Sequence, residues 1–542
     1  MNKIIRSPWL LFGTFFLLTF FTYYPVISAH RRVDADAQII LPLLDSWDNP
    51  VTYILDLLSF KTIDLQPIRD LSLVIDQFFY AHLNTNTFAF QNALIWGLCC
   101  FLVFRLLRSL FPETDERKLY LCVVAFTVYP LFSSTIPWGM ARKHLLSMCF
   151  ILLATCKLTG AGSALTKKEK GFIISSFFLA MLSQPISLFW PVWAWFYVKR
   201  SRPDLIKSFN QILPVLIFIL IVIGLVNFFY YEMSPVFLKN FPKKTSTPFY
   251  FGGQLLAVGH YFTTLVAPYF LSFYYTLGHW TTLTGIVLLV FAGYFHYKYN
   301  ERKMDLWFGF MLFPLITILQ SPQIIYDTYL LIPAVGCLVL IIHSLRNVSW
   351  KTFQISASIL IPLWMSVTFI TSQRWLSMAS LTKESFDNVP DCITAMVHVR
   401  TQYEKGLAPA PETLKYVRDY QCVKQNIQTD SKLNEAKLIQ SQIMFYDDKL
   451  PLDWRLNVLR EGMKTRHFQA NIYYTALLIK TKKGNEISQP LGELVQNLKL
   501  TPNKVYDFIL ETTVLTYCRK TGNTECVEAV VPFTQKSDVP YY

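Results

Sequence analysis

The stretch "SPWLLFGTFFLLTFFTYYPVIS", residues 7–28, decides the fold class. It carries no charge, and Lys3 and Arg6 stand just ahead of it. A bilayer core of about 30 Å needs roughly 20 apolar residues in one helix. The run meets that length and exceeds the roughly 7–15 apolar residues of a cleavable signal. It reads as an uncleaved first span with a cytoplasmic N-terminus, so the residues after it face the far side.

The rest of the chain extends the same pattern. Of 542 residues, 53% are hydrophobic and 16% are charged, against about 25% charged in a soluble domain. Apolar runs recur near 88–110, 119–136, 143–158, 171–183, 185–198, 211–231, 280–297, 306–320, 325–344 and 352–371. Five basic clusters lie between runs: "RSLFPETDERK", "TKKEKG", "VKRSRPDLIK", "YKYNERK" and "HSLRN". Placing all five in the cytoplasm satisfies one threading, with about eleven spans and the C-terminal tail outside. These clusters also account for the net charge of +14. No basic helix interleaved with aromatics and no zinc-finger spacing is present, which argues against nucleic-acid binding.

Two of the runs, 171–183 and 185–198, are short and meet at "LSQP", which predicts a hairpin buried among neighbouring helices. The run "QLLAVGHYFTTLVAPYFLSFYY", 254–275, breaks the charge threading if it crosses. Its polar residues and Pro268 suit a helix lying at the outer interface.

The chain divides into a membrane domain, 1–371, and an external α-helical domain, 372–542. Within the first, 30–87 is a large external loop, and 232–279 is a second loop that holds the interfacial helix. The first loop carries amphipathic segments "IILPLLDSW", "VTYILDLLSF" and "IRDLSLVIDQFFYAHL", whose apolar residues recur at helical spacing. The tail predicts helices near 411–426, 430–446, 452–466, 468–481, 489–498, 502–519 and 523–530, set off by Pro, Gly and Asn turns. A tetratricopeptide-like stack and a plain bundle are both compatible with it, and no clean 34-residue period is visible. Cys392, Cys422, Cys518 and Cys526 lie in the tail, and an even count in an oxidising compartment predicts two disulfides. Proximity in sequence favours Cys392–Cys422 and Cys518–Cys526. The other six cysteines lie in spans as small apolar residues.

The chain has no Walker loop, no GxGxxG opening a helix, no HExxH and no GxSxG. Chemistry is therefore expected at the external membrane surface. Polar residues at membrane depth are costly and mark function. The external span ends supply Asp34 and Asp36 in "RRVDADAQII", Arg69, Trp138, Arg142, Lys143, His144, Gln184, Asp327 and Tyr329. Interfacial cations suit a lipid phosphate, and a carboxylate beside them suits a general base for an acceptor hydroxyl. Asp34 and Asp36 also read as ordinary solvated carboxylates, Arg31 and Arg32 as interfacial flanking charge, and His144 as a helix cap. Arg142 and Lys143 stand out because external cations run against the positive-inside tendency. No tight carboxylate–histidine cluster indicates a metal.

These residues occur in an order that resembles the membrane domain of the tetratricopeptide-repeat transmembrane O-mannosyltransferase family and its bacterial relatives. That family belongs to the wider GT-C class of polyprenyl-phosphate-sugar-dependent glycosyltransferases. The likeness covers residues 8–390 as scattered motifs. "RVDADAQII" is similar to the family's first-loop acidic pair, with Asp36 on the second acidic position and Ala35 on the first. "LQPIRDLSLVIDQFFY" resembles the family's Tyr-Arg-Pro-Leu segment, with Arg69 after the proline. "TFAFQNALIW" keeps Asn92 but has Trp96 where the family has a histidine. In "YPLFSSTIPWGMARKHLLS", Pro130, Trp138, Arg142, Lys143, Leu145, Leu146 and Ser147 match, while Tyr129 and His144 depart. "LSQPISLFWP" and "APYFLSFYY" are similar to further family segments. In "YDTYLLIPAVG", Asp327 takes a glutamate position and Thr328 an arginine position.

The resemblance implies an all-α, GT-C-like bundle that transfers a sugar from a polyprenyl-phosphate donor to a hydroxyl, with inversion. Asp36 is implied as general base, with Asp34 as its substitute. Arg69, Arg142, Lys143, His144, Trp138, Asp327 and Tyr329 are implied around the donor phosphate and lipid. The partners are membrane lipids, the lipid-linked donor and an exported acceptor protein. The short tail points to a bacterial inner membrane with a periplasmic C-terminal domain; an endoplasmic reticulum membrane with a lumenal tail is the alternative. Two other functions fit the residues: transfer of a lipid-linked glycan to a pilin-like protein, and a non-catalytic scaffold whose tail docks partners. A transporter built of two related halves is disfavoured because no internal repeat is seen.

Overall fold

The computed structural model describes residues 7–29, 50–58, 65–83, 87–233, 251–266, 304–317, 327–388, 451–464, 468–481, 486–500 and 510–533, with isolated positions between. Among the described residues the chain is helical and contains no strand. It forms two compact units that divide between Leu381 and Thr382.

The first unit contains α1 (Pro8–Thr22), α2 (Pro50–Leu58), α3 (Pro67–Leu83), α4 (Thr87–Leu110), α5 (Glu116–Thr127), α6 (Arg142–Thr159), α7 (Lys167–Ser183) and α8 (Trp190–Ser201). It continues with α9 (Leu213–Met233), α10 (Phe251–Val266), α11 (Asp305–Thr317), α12 (Leu331–Leu345) and α13 (Trp350–Ser372). Four stretches among the described residues are long and apolar enough to cross a bilayer: Phe88–Leu110, Leu213–Tyr230, Thr328–Leu345 and Trp350–Leu376. The apolar helix Pro8–Thr22 is shorter.

Several expected runs are shorter in the structure, and proline explains two of them. The run 8–28 divides at Tyr23, with a separate turn Tyr24–Ile27 around Pro25. The run 119–136 stops at Thr127, and a 3-10 turn Pro130–Ser134 follows. Pro130 has no backbone N–H and pushes Tyr129 to extended backbone, φ −64° and ψ 129°. The break leaves carbonyls without helical partners, which is costly away from water. Neighbours satisfy them: Trp96 Nε1 donates to the Thr127 carbonyl at 3.1 Å, and Thr368 Oγ1 to that of Val128 at 2.7 Å. Most of the run 280–297 and the end of 254–275 lie outside the described residues.

Close helix approach depends on two glycines. A Cβ on Gly97 of α4 would meet Phe16 Cα of α1 at 2.9 Å. A Cβ on Gly336 of α12 would meet the Met311 nitrogen at 2.8 Å and the Trp307 carbonyl oxygen at 2.9 Å, both on α11. Indoles tie other helices together. Trp190 Nε1 donates to Thr155 Oγ1 at 2.9 Å, and Trp193 Nε1 donates to the Leu306 carbonyl at 2.8 Å.

The boundary helix α14 (Met378–Asn388) leads into the second unit, which contains α15 (Leu452–Lys464), α16 (Phe468–Lys480), α17 (Ser488–Leu500), α18 (Thr516–Thr521) and α19 (Thr524–Val530). Its core includes Leu459, Ile472, Leu477, Leu494, Val514 and Val530. The expected helix at 502–519 is described only from Leu510, where a π-helical turn Leu510–Leu515 precedes α18. Cys518 and Cys526 form a disulfide with a Cα–Cα distance of 5.9 Å. Cys392, Cys422 and the segments 411–426 and, but for Met444 and Phe445, 430–446 lie outside the described residues.

Candidate functional site

The N-terminal end of α6 anchors a buried polar network. Arg142 is its first residue and has no exposed surface. Its Nε donates to Asn92 Oδ1 at 2.8 Å, its Nη1 to the Ser72 carbonyl at 3.1 Å, and its Nη2 to the Phe88 carbonyl at 3.0 Å. It pairs with Asp76, which is equally buried. Asn92 Nδ2 in turn donates to the carbonyls of Ile136 and Trp138, at 3.1 and 2.9 Å. One guanidinium thus joins α3, α4 and α6 and fixes the irregular segment before α6. Burying two ions costs several kcal/mol each, which is offset only when their remaining hydrogen bonds are made. That condition is largely met at Arg142.

A second cation extends the network along α3. Arg69 pairs with Asp70 at 2.6 Å, both side chains 3% exposed. Tyr53 OH donates to Asp70 Oδ2 at 3.1 Å, and Arg69 Nη1 donates to Gln66 Oε1 at 2.9 Å. Gln66 Nε2 reaches Gln184 Oε1 at 3.1 Å, at the turn after α7. A short Ser147–Ser187 hydroxyl contact of 2.6 Å holds that turn to α6. The described helices of the first loop, α2 and α3, are therefore held to each other through Tyr53 and Asp70 and to the bundle through Arg142–Asp76 and Gln66–Gln184.

An aromatic wall lies on the other side of α6. His144, 4% exposed, meets Tyr329 edge-on at 5.0 Å between ring centroids. Tyr329 in turn meets Tyr261 of α10 at 6.4 Å. His144 Nδ1 has no hydrogen-bond partner among the described residues. Trp138 stacks with Trp375 at 6.4 Å. Tyr129 OH donates to the Leu265 carbonyl at 2.8 Å, holding the end of α10 close by.

The structure thus brings Arg69, Trp138, Arg142, Lys143, His144 and Tyr329 into one region. It changes the reading of two of them. Arg142 was expected to hold a phosphate directly, but its guanidinium is enclosed and occupied by Asp76, Asn92, Ser72 and Phe88. Arg69 is likewise turned to Asp70 and Gln66. Both guanidinium groups are engaged by protein groups. Lys143 is half-buried and so less enclosed than either. Asp327 begins the 3-10 turn Asp327–Leu330. Asp34 and Asp36 lie outside the described residues.

The sequence reading missed Asp76, Ser72, Gln66 and Arg374. The first two had a signal: positions 69, 72 and 76 recur at helical spacing, so Arg69, Ser72 and Asp76 share a face of α3. Arg374 is 3% exposed in the turn Gln373–Leu376, with its Nη2 3.4 Å from Ser133 Oγ. Its signal was its place at the end of an apolar run. Among the described residues no three His, Cys, Asp or Glu side chains gather as a metal site. Compared with protein-family models, curated proteins and solved structures, the chain shows no significant match.

Proposed function

We propose that the protein is a GT-C-like membrane glycosyltransferase that uses a polyprenyl-phosphate-linked sugar. The observation that carries the reading is the buried cationic and aromatic network at the N-terminal end of α6, in which Asn92, Arg142 and Tyr329 match the family motifs while Asp76 and His144 do not. Charged groups at membrane depth are costly to keep and mark function. A bundle of about eleven spans with external loops and an external tail is part of the proposal.

In the reaction, the acceptor hydroxyl oxygen attacks the anomeric carbon from the face opposite the phosphate. The new C–O bond forms as the bond from the anomeric carbon to phosphate oxygen breaks, with inversion. The proton passes to the Asp36 carboxylate, or to Asp34 in its place, and polyprenyl phosphate leaves carrying the bond electrons. Lys143 contacts that phosphate as a point charge. Arg142 and Arg69 hold the surrounding helices, and His144, Trp138 and Tyr329 shape the wall beside the lipid. The second unit recruits an exported acceptor protein, and the compartment is a bacterial periplasm.

Comparison of intact masses of exported proteins, with and without the gene, tests this reading. A shift of one hexose on an acceptor supports it, a shift of a whole glycan identifies the oligosaccharide variant, and no shift on any exported protein refutes it.

A further inference from the structure

The opposite end of α4 carries a second basic feature that the transfer reaction does not use. Phe88, which touches Arg142, and Arg105 are separated by 17 positions of one helix, about 25 Å at 1.5 Å per residue. Around Arg105 lies a cavity of about 480 Å³, lined by Leu11 of α1 with Phe101, Phe104, Arg105, Arg108 and Ser109 of α4. Its lining combines apolar Pro8, Leu11, Phe101 and Phe104 with the two arginines.

The two arginines differ. Arg108 Nε pairs with Glu116 at 2.7 Å, with side chains 57% and 40% exposed. Such a surface pair is worth about 0–1 kcal/mol and is readily shared with a stronger anion. Arg105 is exposed and makes no ion pair or hydrogen bond among the described residues. It sits five residues before the end of α4, about 7–8 Å deep by helical rise. Near a helix end a long arginine side chain reaches toward the headgroup layer, where a lipid phosphate serves as its counter-ion. A phosphodiester brings that counter-ion, and its acyl chains lie against the exposed Pro8 and the half-buried Phe101.

We infer that this cavity seats an anionic phospholipid of the leaflet at this end of the bundle, with its phosphate between Arg105 and Arg108. Basic pockets between membrane helices bind such headgroups through the same combination of cation and groove. The lipid bridges α1 and α4 about 12 Å along α4 from their close approach at Gly97. The site stands independently of the transfer reaction.

Native mass spectrometry of the full chain, released from nanodiscs of phosphatidylcholine with added phosphatidylglycerol, tests the site. The wild-type protein retains phosphatidylglycerol in preference to phosphatidylcholine. Arg105→Gln lowers that occupancy about fivefold, the scale expected for one interfacial cation. Arg105→Lys retains most of it, and Lys168→Gln, a charge change away from the cavity, leaves it unchanged. If Arg105→Gln retains phosphatidylglycerol as the wild type does, or Lys168→Gln loses as much, the inference is overturned. Binding of inorganic phosphate at equal strength, with no lipid preference, also overturns it.

Discussion

Removing one partner of the Asp76–Arg142 pair should be among the most damaging single changes in the membrane unit. Arg142→Gln leaves the Asp76 carboxylate with no exposed surface and without its guanidinium. Losing one member of a buried pair costs about 3–5 kcal/mol, because the remaining charge is uncompensated. The substitution also releases Asn92 Oδ1 and the carbonyls of Ser72 and Phe88. Each hydrogen bond to a charged group is worth about 1.5–3 kcal/mol, but these contacts act as one unit and do not add. A total near 4 kcal/mol follows, dominated by removal of the guanidinium from the buried carboxylate. Thermal unfolding in detergent, followed by fluorescence-detected size exclusion, measures it. Asp76→Asn should cost a comparable amount, and the double substitution Arg142→Met with Asp76→Leu should cost less than either single change. A double variant whose loss equals the sum of the two singles would refute the argument, as would a wild-type melting temperature for Arg142→Gln.

The remaining predictions concern other parts of the chain. Gly336→Ala should lower stability by about 1–3 kcal/mol, because its methyl meets backbone atoms that cannot swing aside; the same unfolding assay detects it. Reduction of Cys518–Cys526, which closes a loop of separation 8, should destabilise the second unit by about 2–3 kcal/mol, seen as a lower denaturation midpoint of the full chain in dithiothreitol. His398 is buried and accepts or donates one hydrogen bond with Thr382 Oγ1 at 3.1 Å. Burial holds its imidazole below the usual range; Lys383 adds to this and Asp387 opposes it. The folded chain therefore binds the proton less readily than the unfolded chain. Stability from this group is complete above about pH 6.5, the ordinary histidine value, and is lost as pH falls toward the lower folded value. His398→Gln should flatten that acid-side decline in a pH series of unfolding midpoints.

The helical class and the apolar runs were legible because hydrophobic length and charge spacing are local properties. Helix ends were legible where a cap or proline sets them, as at Ser7 and Pro8 of α1 or the Thr166–Glu169 capping box of α7. The break at Thr127 was missed because the run stays apolar through Pro130, while the partners that make the break tolerable, Trp96 and Thr368, come from distant helices. The motif "ARKHLLS" lies at the N-terminal end of α6. It did not reveal that Arg142 points into the bundle, since that depends on Asp76, 66 positions earlier in the chain. Adjacent cations look equivalent in sequence, and only their neighbours distinguish the enclosed Arg142 from the half-buried Lys143.

Donor turnover by the purified full chain in nanodiscs is the most direct measurement of sugar transfer from a lipid phosphate. With a polyprenyl-phosphate hexose and a periplasmic protein extract, mass spectrometry should show free polyprenyl phosphate and a hexose added to protein in equal amounts. Lys143→Gln should weaken the apparent affinity for donor, and Asp36→Asn should abolish both products while leaving the melting temperature unchanged. Undiminished transfer by a protein lacking both Asp34 and Asp36, or intact donor in the presence of the folded wild-type chain, would contradict the account.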